Sequence, residues 1–273
     1  MNLRETLFTT GEFSKLCGVK KQTLFHYDQI DILKPEYRNE KGYRYYSLQQ
    51  LEIFSVIDIL KDLELSLSQI KAFLDIRSIP KTINLLNSKE KEIDLKIEQM
   101  ERQKLFIQNK RDYLQLSYEA DYSSIEIVEL TERYYLISEN IGNITVKSSS
   151  HKLMAFINYI KTNNLDSGYP IGVIIKKNNI QNDRYNEFSN FYIQVDKDVC
   201  ETPLIRDKAL YVIAYHEGPD ETLYKTHKKI KNYMQIEGLK IIGDSFEEYA
   251  VDEISTNGPD KYVTKISIQV EKD

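Results

Sequence analysis

The sequence predicts an α+β protein in three parts: a winged helix-turn-helix over residues 1–77, one long helix over 78–118, and a duplicated β-α-β-β domain over 119–273. Three observations predict it. Short helices with capping signals flank a Gly-containing hairpin near the start. No glycine or proline interrupts residues 81–117. In the last part, strand-like runs recur at offsets of 75 and 76 residues.

A chain of 273 residues with 41% hydrophobic content can fill more than one core. Its longest apolar runs, Ala209 to Tyr215 and Tyr169 to Ile175, are far shorter than a bilayer span, so no membrane partner is expected. Met1 to Phe13 lacks the apolar region of a signal peptide, and a cytoplasmic location is expected. The two cysteines, Cys17 and Cys200, form no CxxC pair and no Cys/His cluster, which predicts packing roles and neither a disulfide nor a metal site. The net charge of -5 is unevenly spread. Residues 1–77 hold 11 basic and 11 acidic side chains, whereas residues 119–273 hold 18 basic and 25 acidic ones, a balance that attracts cations.

Thr9 with Glu12 and Ser47 with Gln50 fit the capping box that satisfies backbone donors at a helix start. Phe13, Leu16, Val19 and Leu24 are spaced to form the small core of two helices joined at Cys17-Gly18, which is helix-turn-helix geometry. The second helix opens with Lys20, Lys21, Gln22 and Thr23. These side chains suit phosphates and base edges in a major groove, although two adjacent lysines also suit a solvated face. The hairpin that follows reads as a wing. It carries Arg38, Lys41 and Arg44 beside Tyr43 and Tyr45, so cations and hydroxyls converge on one backbone-contacting surface. From Lys15 to Tyr46 there are seven basic and four acidic residues, an excess that the domain total conceals.

Along the long helix Ile83, Leu86, Glu90, Ile93, Ile97, Met100, Lys104, Ile107, Arg111 and Leu114 recur at alternating spacings of three and four. Seven of the ten are apolar, and so narrow a stripe on a helix of about 50 Å suits a coiled-coil seam between two copies of the chain. A surface helix packed on its own domain is the alternative. Beyond it, Arg133 to Ile137 is echoed by Ala209 to Ile213 and Phe191 to Val195 by Ile266 to Val270, with helices expected at Ser148 to Asn163 and Pro219 to Ile236. Two such units side by side create a groove along their pseudo-symmetry axis, a natural ligand site.

The segment from Phe8 to about Asp75 resembles the MerR family of transcription regulators. It contains the family's opening T-x-G-E-x-S-K-L-x-G-V, its middle L-x-x-Y-D-x-I-x-I-L-x-P and its wing G-Y-R-Y-Y. The resemblance implies a homodimer, paired through an antiparallel coiled coil, that binds and distorts double-stranded promoter DNA so that RNA polymerase can use it. Bending such a site costs several kcal/mol, roughly, and the contacts must supply it. It also implies that Tyr27 and Arg44 contact the DNA backbone. One departure concerns Phe25-His26, where the family often has Arg directly after the leucine: the phosphate contact of that position is either missing here or made by His26.

The last part resembles the gyrase-inhibitor-like effector domain. The match rests on Asp244-Ser245-Phe246-Glu247, on the spacing from Glu247 to Tyr262, and on Gly168-Tyr169. The resemblance implies a small-molecule effector, aromatic or cationic, held by Glu247 with Tyr169 and Tyr262, and by Phe246 beside the acid. Two further tyrosines of the multidrug-binding members fall here on Ser150 and Leu223, with Tyr224 adjacent. The physical case stands beside the comparison: a carboxylate among aromatic faces offers a lipophilic cation both charge pairing and cation-π attraction. Thirteen of the twenty tyrosines lie in residues 119–273.

The leading function is therefore a ligand-responsive DNA-binding regulator. A hydrolytic effector domain or a protein-binding scaffold are the other readings. No catalytic residue or cofactor is implied, because His26, His151, His216 and His227 are too scattered to suggest a triad. Metal sensing is not expected, since Tyr113 to Ser124 holds no cysteine.

Overall fold

The computed structural model describes residues 6–142, 146–199 and 202–272. They form two units, one ending at Ile97 and the other beginning at Glu98. The expected role of Cys200 lies outside the described residues.

The first unit starts with strand β1 (Leu7–Thr9), followed by helices α1 (Thr10–Leu16) and α2 (Lys21–Gln29), the hairpin β2 (Tyr37–Arg38) and β3 (Arg44–Ser47), and helices α3 (Gln49–Asp62) and α4 (Leu67–Ile76). The capping box at Thr9 and Glu12 is complete. At α3 it is half formed: the Gln50 amide oxygen accepts from the Ser47 backbone N–H at 3.0 Å, but the Ser47 hydroxyl is buried without a partner and Leu48 takes the cap position. Gln50 instead spends its amide N–H on the Lys34 carbonyl, tying α3 to the end of the α2 turn. A second complete box, Ser66 with Gln69, opens α4. Phe13, Leu24, Tyr27, Tyr46, Phe54, Ile57 and Ile70 fill the core, with Phe13 stacked on Tyr46 at 4.6 Å between ring centroids. Leu16, expected in that core, is 57% exposed because α1 turns its other face inward. Cys17 packs against the core, and burial pushes its thiol up to about 11, so it stays protonated at neutral pH. β1 was not foreseen; it pairs with β3, so the wing is the outer part of a three-stranded sheet in the order β1-β3-β2.

Helix α5 (Ile79–Glu119) runs unbroken for 41 residues, as the absence of glycine and proline predicts. The boundary between the two units falls inside it, at Ile97.

The second unit is one eight-stranded sheet. Its strands are β4 (Ile125–Leu130), β5 (Arg133–Ile137), β6 (Ile171–Ile175), β7 (Phe188–Val195), β8 (Leu204–Arg206), β9 (Ala209–Glu217), β10 (Leu239–Val251) and β11 (Val263–Lys272). Helix α6 (Val146–Thr162) follows β5, the short α7 (Lys177–Gln181) follows β6, and α8 (Leu223–Ile236) follows β9. The duplication is therefore β5-α6-β6-β7 and β9-α8-β10-β11. The sheet order is β4-β9-β11-β10-β6-β7-β5-β8, so the copies meet where β10 runs antiparallel to β6. The short strands were not foreseen, and their placement is crossed. β4, which leads into the first copy, pairs with β9 of the second; β8, which leads into the second, pairs with β5 of the first.

Alternation along the strands gives the sheet two different faces. Val212, Ala214, Ile266, Ile268 and Val270 face α8, whose Leu223, Thr226, His227, Ile230 and Met234 are buried at helical spacing. Phe191, Ile193 and Val195 face Phe156 and Ile160 of α6. Truncating a fully buried residue such as Ile230 to alanine costs about 2–5 kcal/mol. The opposite face carries Tyr135, Tyr192, Tyr211 and Phe246. Residues from the second half of α5 meet this unit: Lys110 Nζ lies 2.9 Å from Asp252, and Asn109 donates to the Ser167 carbonyl at 2.8 Å.

Candidate functional site

The candidate DNA-reading surface is built on α2 and the wing. Lys20 sits at the N-cap of α2 in extended geometry with no side-chain cap bond. Lys20, Lys21 and Gln22 are exposed and Thr23 is half-buried. At the wing tip the Asn39 side-chain oxygen accepts from the backbone N–H groups of Lys41 and Tyr43 at 3.1 and 2.8 Å, and Gly42 takes φ +80°, which fixes the turn. That turn leaves Lys41 exposed and Tyr43 65% exposed, while Tyr45 tilts against Tyr37. Between α2 and the wing lies a groove of about 340 Å³ lined by Lys21, Phe25 and Gly42 to Tyr45.

Three of the residues sit differently from the sequence expectation. Tyr27 is a core residue, 3% exposed and packed against Phe54, so its ring supports α2 from beneath. Arg38 and Arg44 both reach the buried carboxylate of Asp28, so they are held side chains rather than free cations. Phe25, in the position where Arg is common, places its ring under the Arg44 guanidinium at 4.8 Å. Asp28 was missed. Its signal was present in the quoted Y-D motif, but not the two arginines it would bind.

The second candidate site is a cleft of about 330 Å³ where the two copies of the duplication meet. Leu153 and Ile157 of α6 form one wall, Leu223 at the start of α8 the other, and Gly172, Val173, Glu247 and Thr264 the floor. Ser150 and Leu223 both line it. Glu247 is 2% exposed. Its register partners Val173 and Ile266 belong to the helix-covered face, so its carboxylate projects toward the cleft and α8. There His227 Nε2 lies 2.8 Å from Glu247 Oε1. The ring N–H is not aligned for a hydrogen bond, so the two groups are close without a directed bond, and both ring nitrogens lack a hydrogen-bond partner. The imidazole is held by stacking on Tyr185 at 4.3 Å and 11°. The Thr264 hydroxyl is likewise buried without a partner. A cleft floor with a buried acid and an unspent hydroxyl is suited to a ligand that brings its own polar groups.

The five residues expected around the ligand are not brought together. Glu247 lines the cleft. Tyr262 stands behind it, packed edge-on against the lining Tyr249 at 5.3 Å, with its hydroxyl donating to Glu253 at 2.5 Å. That hydrogen bond, with burial, pushes the Tyr262 hydroxyl upward. Tyr169 lines a separate pocket of about 230 Å³ with Phe106, Lys110 and Asp252, which shares only Ile157 and Ile171 with the cleft. Tyr224 is 41% exposed on α8, with Lys228 over its ring. Phe246 points to the opposite face, between Tyr135 and Tyr192, because its neighbour Glu247 takes the cleft side.

Glu248 shares that opposite face. It accepts from the Tyr192 hydroxyl at 2.9 Å, and the buried Tyr113 of α5 lies close enough to feel its charge, although its hydroxyl completes no hydrogen bond. Burial first, and then Glu248, drive the Tyr113 and Tyr192 hydroxyls far above their ordinary range. Adjacent carboxylates on β10 thus look to opposite sides of the sheet, one to the cleft and one to α5. His227 and Glu248 were missed. The spacing of His227 from Leu223 and Ile230 marks it as buried, but nothing in the sequence pairs it with Glu247. Among the described residues no cluster of three or more His, Cys, Asp or Glu could hold a metal ion, and no helix is long and apolar enough to cross a membrane.

Comparison with known proteins bears on both surfaces. Residues 8–75 match the MerR HTH family regulatory protein, and residues 123–271 match the GyrI-like small molecule binding domain. The multidrug-efflux transporter 2 regulator of Bacillus subtilis (strain 168) is 36% identical over 267 residues, covering 97% of each chain. The multidrug-efflux transporter 1 regulator of the same organism is 24% identical over 306 residues, covering 98% of this chain and 99% of that one. The chain therefore belongs to the MerR family of regulators, in the branch whose HTH domain is joined to a GyrI-like small molecule binding domain.

Proposed function

We propose that the protein binds promoter DNA as a homodimer, distorts it, and does so according to whether a small aromatic or cationic lipophilic molecule occupies the cleft between α6 and α8. The observation that carries this is the buried Glu247 carboxylate on the floor of a largely apolar cleft, in a chain whose other unit presents Lys20, Lys21 and Gln22 at the start of α2. A cation in such a cleft gains charge pairing in a desolvated site, which a solvated carboxylate does not offer. Relatives of nearly the full length regulate multidrug-efflux transporters, which supports a ligand of this class.

We assign the labour to three segments: residues 1–77 to DNA, 78–118 to the dimer, and 119–273 to the ligand. The seam residues Ile83, Leu86, Ile93, Ile97, Met100 and Ile107 are 46–69% exposed in the single chain, and a second copy is the partner this stripe fits. RNA polymerase acts at the same promoter, in the cytoplasm. No catalytic step is assigned to the cleft, in keeping with relatives that are transcription regulators.

The test uses the full chain. Tetraphenylphosphonium should raise the melting temperature and alter affinity for a double-stranded site selected from a random DNA pool, and the probe should be recovered chemically intact. Glu247→Gln should weaken the cation's effect while sparing that of the neutral triphenylphosphine oxide. Equal loss of both effects would remove the charge argument.

A further inference from the structure

We infer that His227 sets the charge selectivity of the cleft: its proton and a ligand cation compete for the Glu247 carboxylate, so a lipophilic cation enters with release of one proton and a neutral aromatic enters with none. The inference rests on the reading of the cleft as the ligand site.

The geometry supplies the competition. Glu247 and His227 are both almost fully buried, at 2% and 1% side-chain exposure, and their nearest atoms are 2.8 Å apart. Protonated, the imidazole makes the pair neutral; unprotonated, it leaves one uncompensated negative charge in a site with little water to screen it. A cation placed in the cleft meets either an anion or a neutral pair. The proton balance is simple: the imidazolium gives its N–H proton to solvent, Glu247 remains a carboxylate throughout, and the ligand's charge replaces the proton's. No covalent bond to the ligand forms or breaks.

The His227 ring is held without a hydrogen bond. Neither ring nitrogen has a directed hydrogen bond, and the ring is positioned by stacking on Tyr185 rather than by a donor or acceptor. The charged and titratable groups around it are otherwise engaged. Tyr185 donates to Asp183, and Lys231 pairs with the same carboxylate at 2.6 Å. Lys228 lies over Tyr224. His216 on β9 feels His227 but is bracketed by the Thr222 and Thr226 hydroxyls, each at 2.8 Å, and burial favours its neutral form. Asp220, ahead of α8, accepts from Tyr249 at 2.7 Å. Glu247 is the one carboxylate in direct contact with the His227 ring among the described residues.

The experiment is calorimetric titration of the full chain with tetraphenylphosphonium, at each pH in two effective buffers of different ionisation enthalpy, between about pH 5 and 8, where histidine exchanges its proton. Affinity should rise with pH by up to about tenfold per unit at the acid end, with close to one proton released there. Triphenylphosphine oxide should bind with a flat profile. His227→Gln should bind the cation with a flat profile and no proton release, whereas His216→Gln should keep the slope. In the unmodified protein, the His227 ring nitrogens should move from their protonated to their neutral chemical shifts when the cation is added near the acid end, a readout that does not depend on the variant folding. Cation binding without proton release, or an unchanged slope in His227→Gln, would overturn the inference and leave the cleft standing as a ligand site. If neither probe binds at any pH, the ligand reading itself fails and takes the inference with it.

Discussion

Arg44 of the wing is gripped twice by α2: its Nε donates to Asp28 at 2.6 Å, and its guanidinium face lies on the Phe25 ring at 4.8 Å. Arg38 shares the same carboxylate. The wing is therefore tied to α2 through a single buried carboxylate. Asp28→Asn removes the charge that both arginines need, while Asp28 itself is only 6% exposed. We expect a loss of about 1–3 kcal/mol in urea unfolding, together with weaker DNA binding. A variant that unfolds like the parent and binds DNA equally well would mean that the wing is held by other means.

Lys20 and Lys21 make no ion pair among the described contacts and stand exposed where α2 begins. Replacing either with alanine should leave stability within about 0.5 kcal/mol. If each meets one phosphate, the slope of log affinity against log salt should fall by about one unit per lysine. An unchanged slope would place DNA on a different surface.

Gly168 adopts φ +84°, and a Cβ built on it would run into the backbone carbonyl of Phe106 on α5. The left-handed geometry and the close approach act together, so Gly168→Ala should cost more than about 2 kcal/mol by thermal or denaturant unfolding. It should also loosen the second half of α5, visible as faster amide exchange around Phe106. A change within experimental error would show that the turn relaxes easily.

Burial holds the His216 imidazole below its ordinary value. A group that the folded state prefers neutral contributes stability above the unfolded value of about 6.5 and loses it as pH falls through that value toward the folded one. Stability should therefore drop on acidification below about pH 6.5, and His216→Gln should flatten that part of the curve. Unfolding free energies measured at several pH values would decide it, and an equally steep curve in the variant would assign the slope elsewhere.

Ile93 and Ile97 are 46% and 49% exposed on α5 in the single chain. A charge introduced there by Ile97→Asp should be nearly silent in a monomer but should split a seam between two chains. Sedimentation analysis should find the parent as a dimer and the variant shifted toward monomer, with DNA affinity falling alongside. A parent that sediments as a monomer at micromolar concentration would end the homodimer reading.

Helix α5 was legible because a run without glycine or proline admits little else. The duplication was legible because like runs recur at constant offset, and that offset brings Phe188–Val195 and Val263–Lys272 to matching places in the two copies. What stayed hidden depends on contacts between distant residues. Asp28 meets Arg38 and Arg44 across 10 and 16 positions, and His227 meets Glu247 across twenty, none of which leaves a periodic trace. Tyr169, Tyr224 and Phe246 were placed by resemblance and by neighbourhood in sequence. On a strand, however, one step reverses the face, which separates Phe246 from Glu247.

The crossed lead-in strands make the two copies inseparable. Each copy's outer edge is closed by a segment belonging to the other's approach, Ile125–Leu130 on β9 and Leu204–Arg206 on β5. A chain trimmed to one copy would bare a row of unpaired backbone groups and keep a loose strand with nowhere to dock. Such a fragment has a ready remedy in a second molecule of itself, exchanging those strands as the copies do here. The two copies are thus laced together at both edges of the sheet as well as at the β10–β6 seam in its middle.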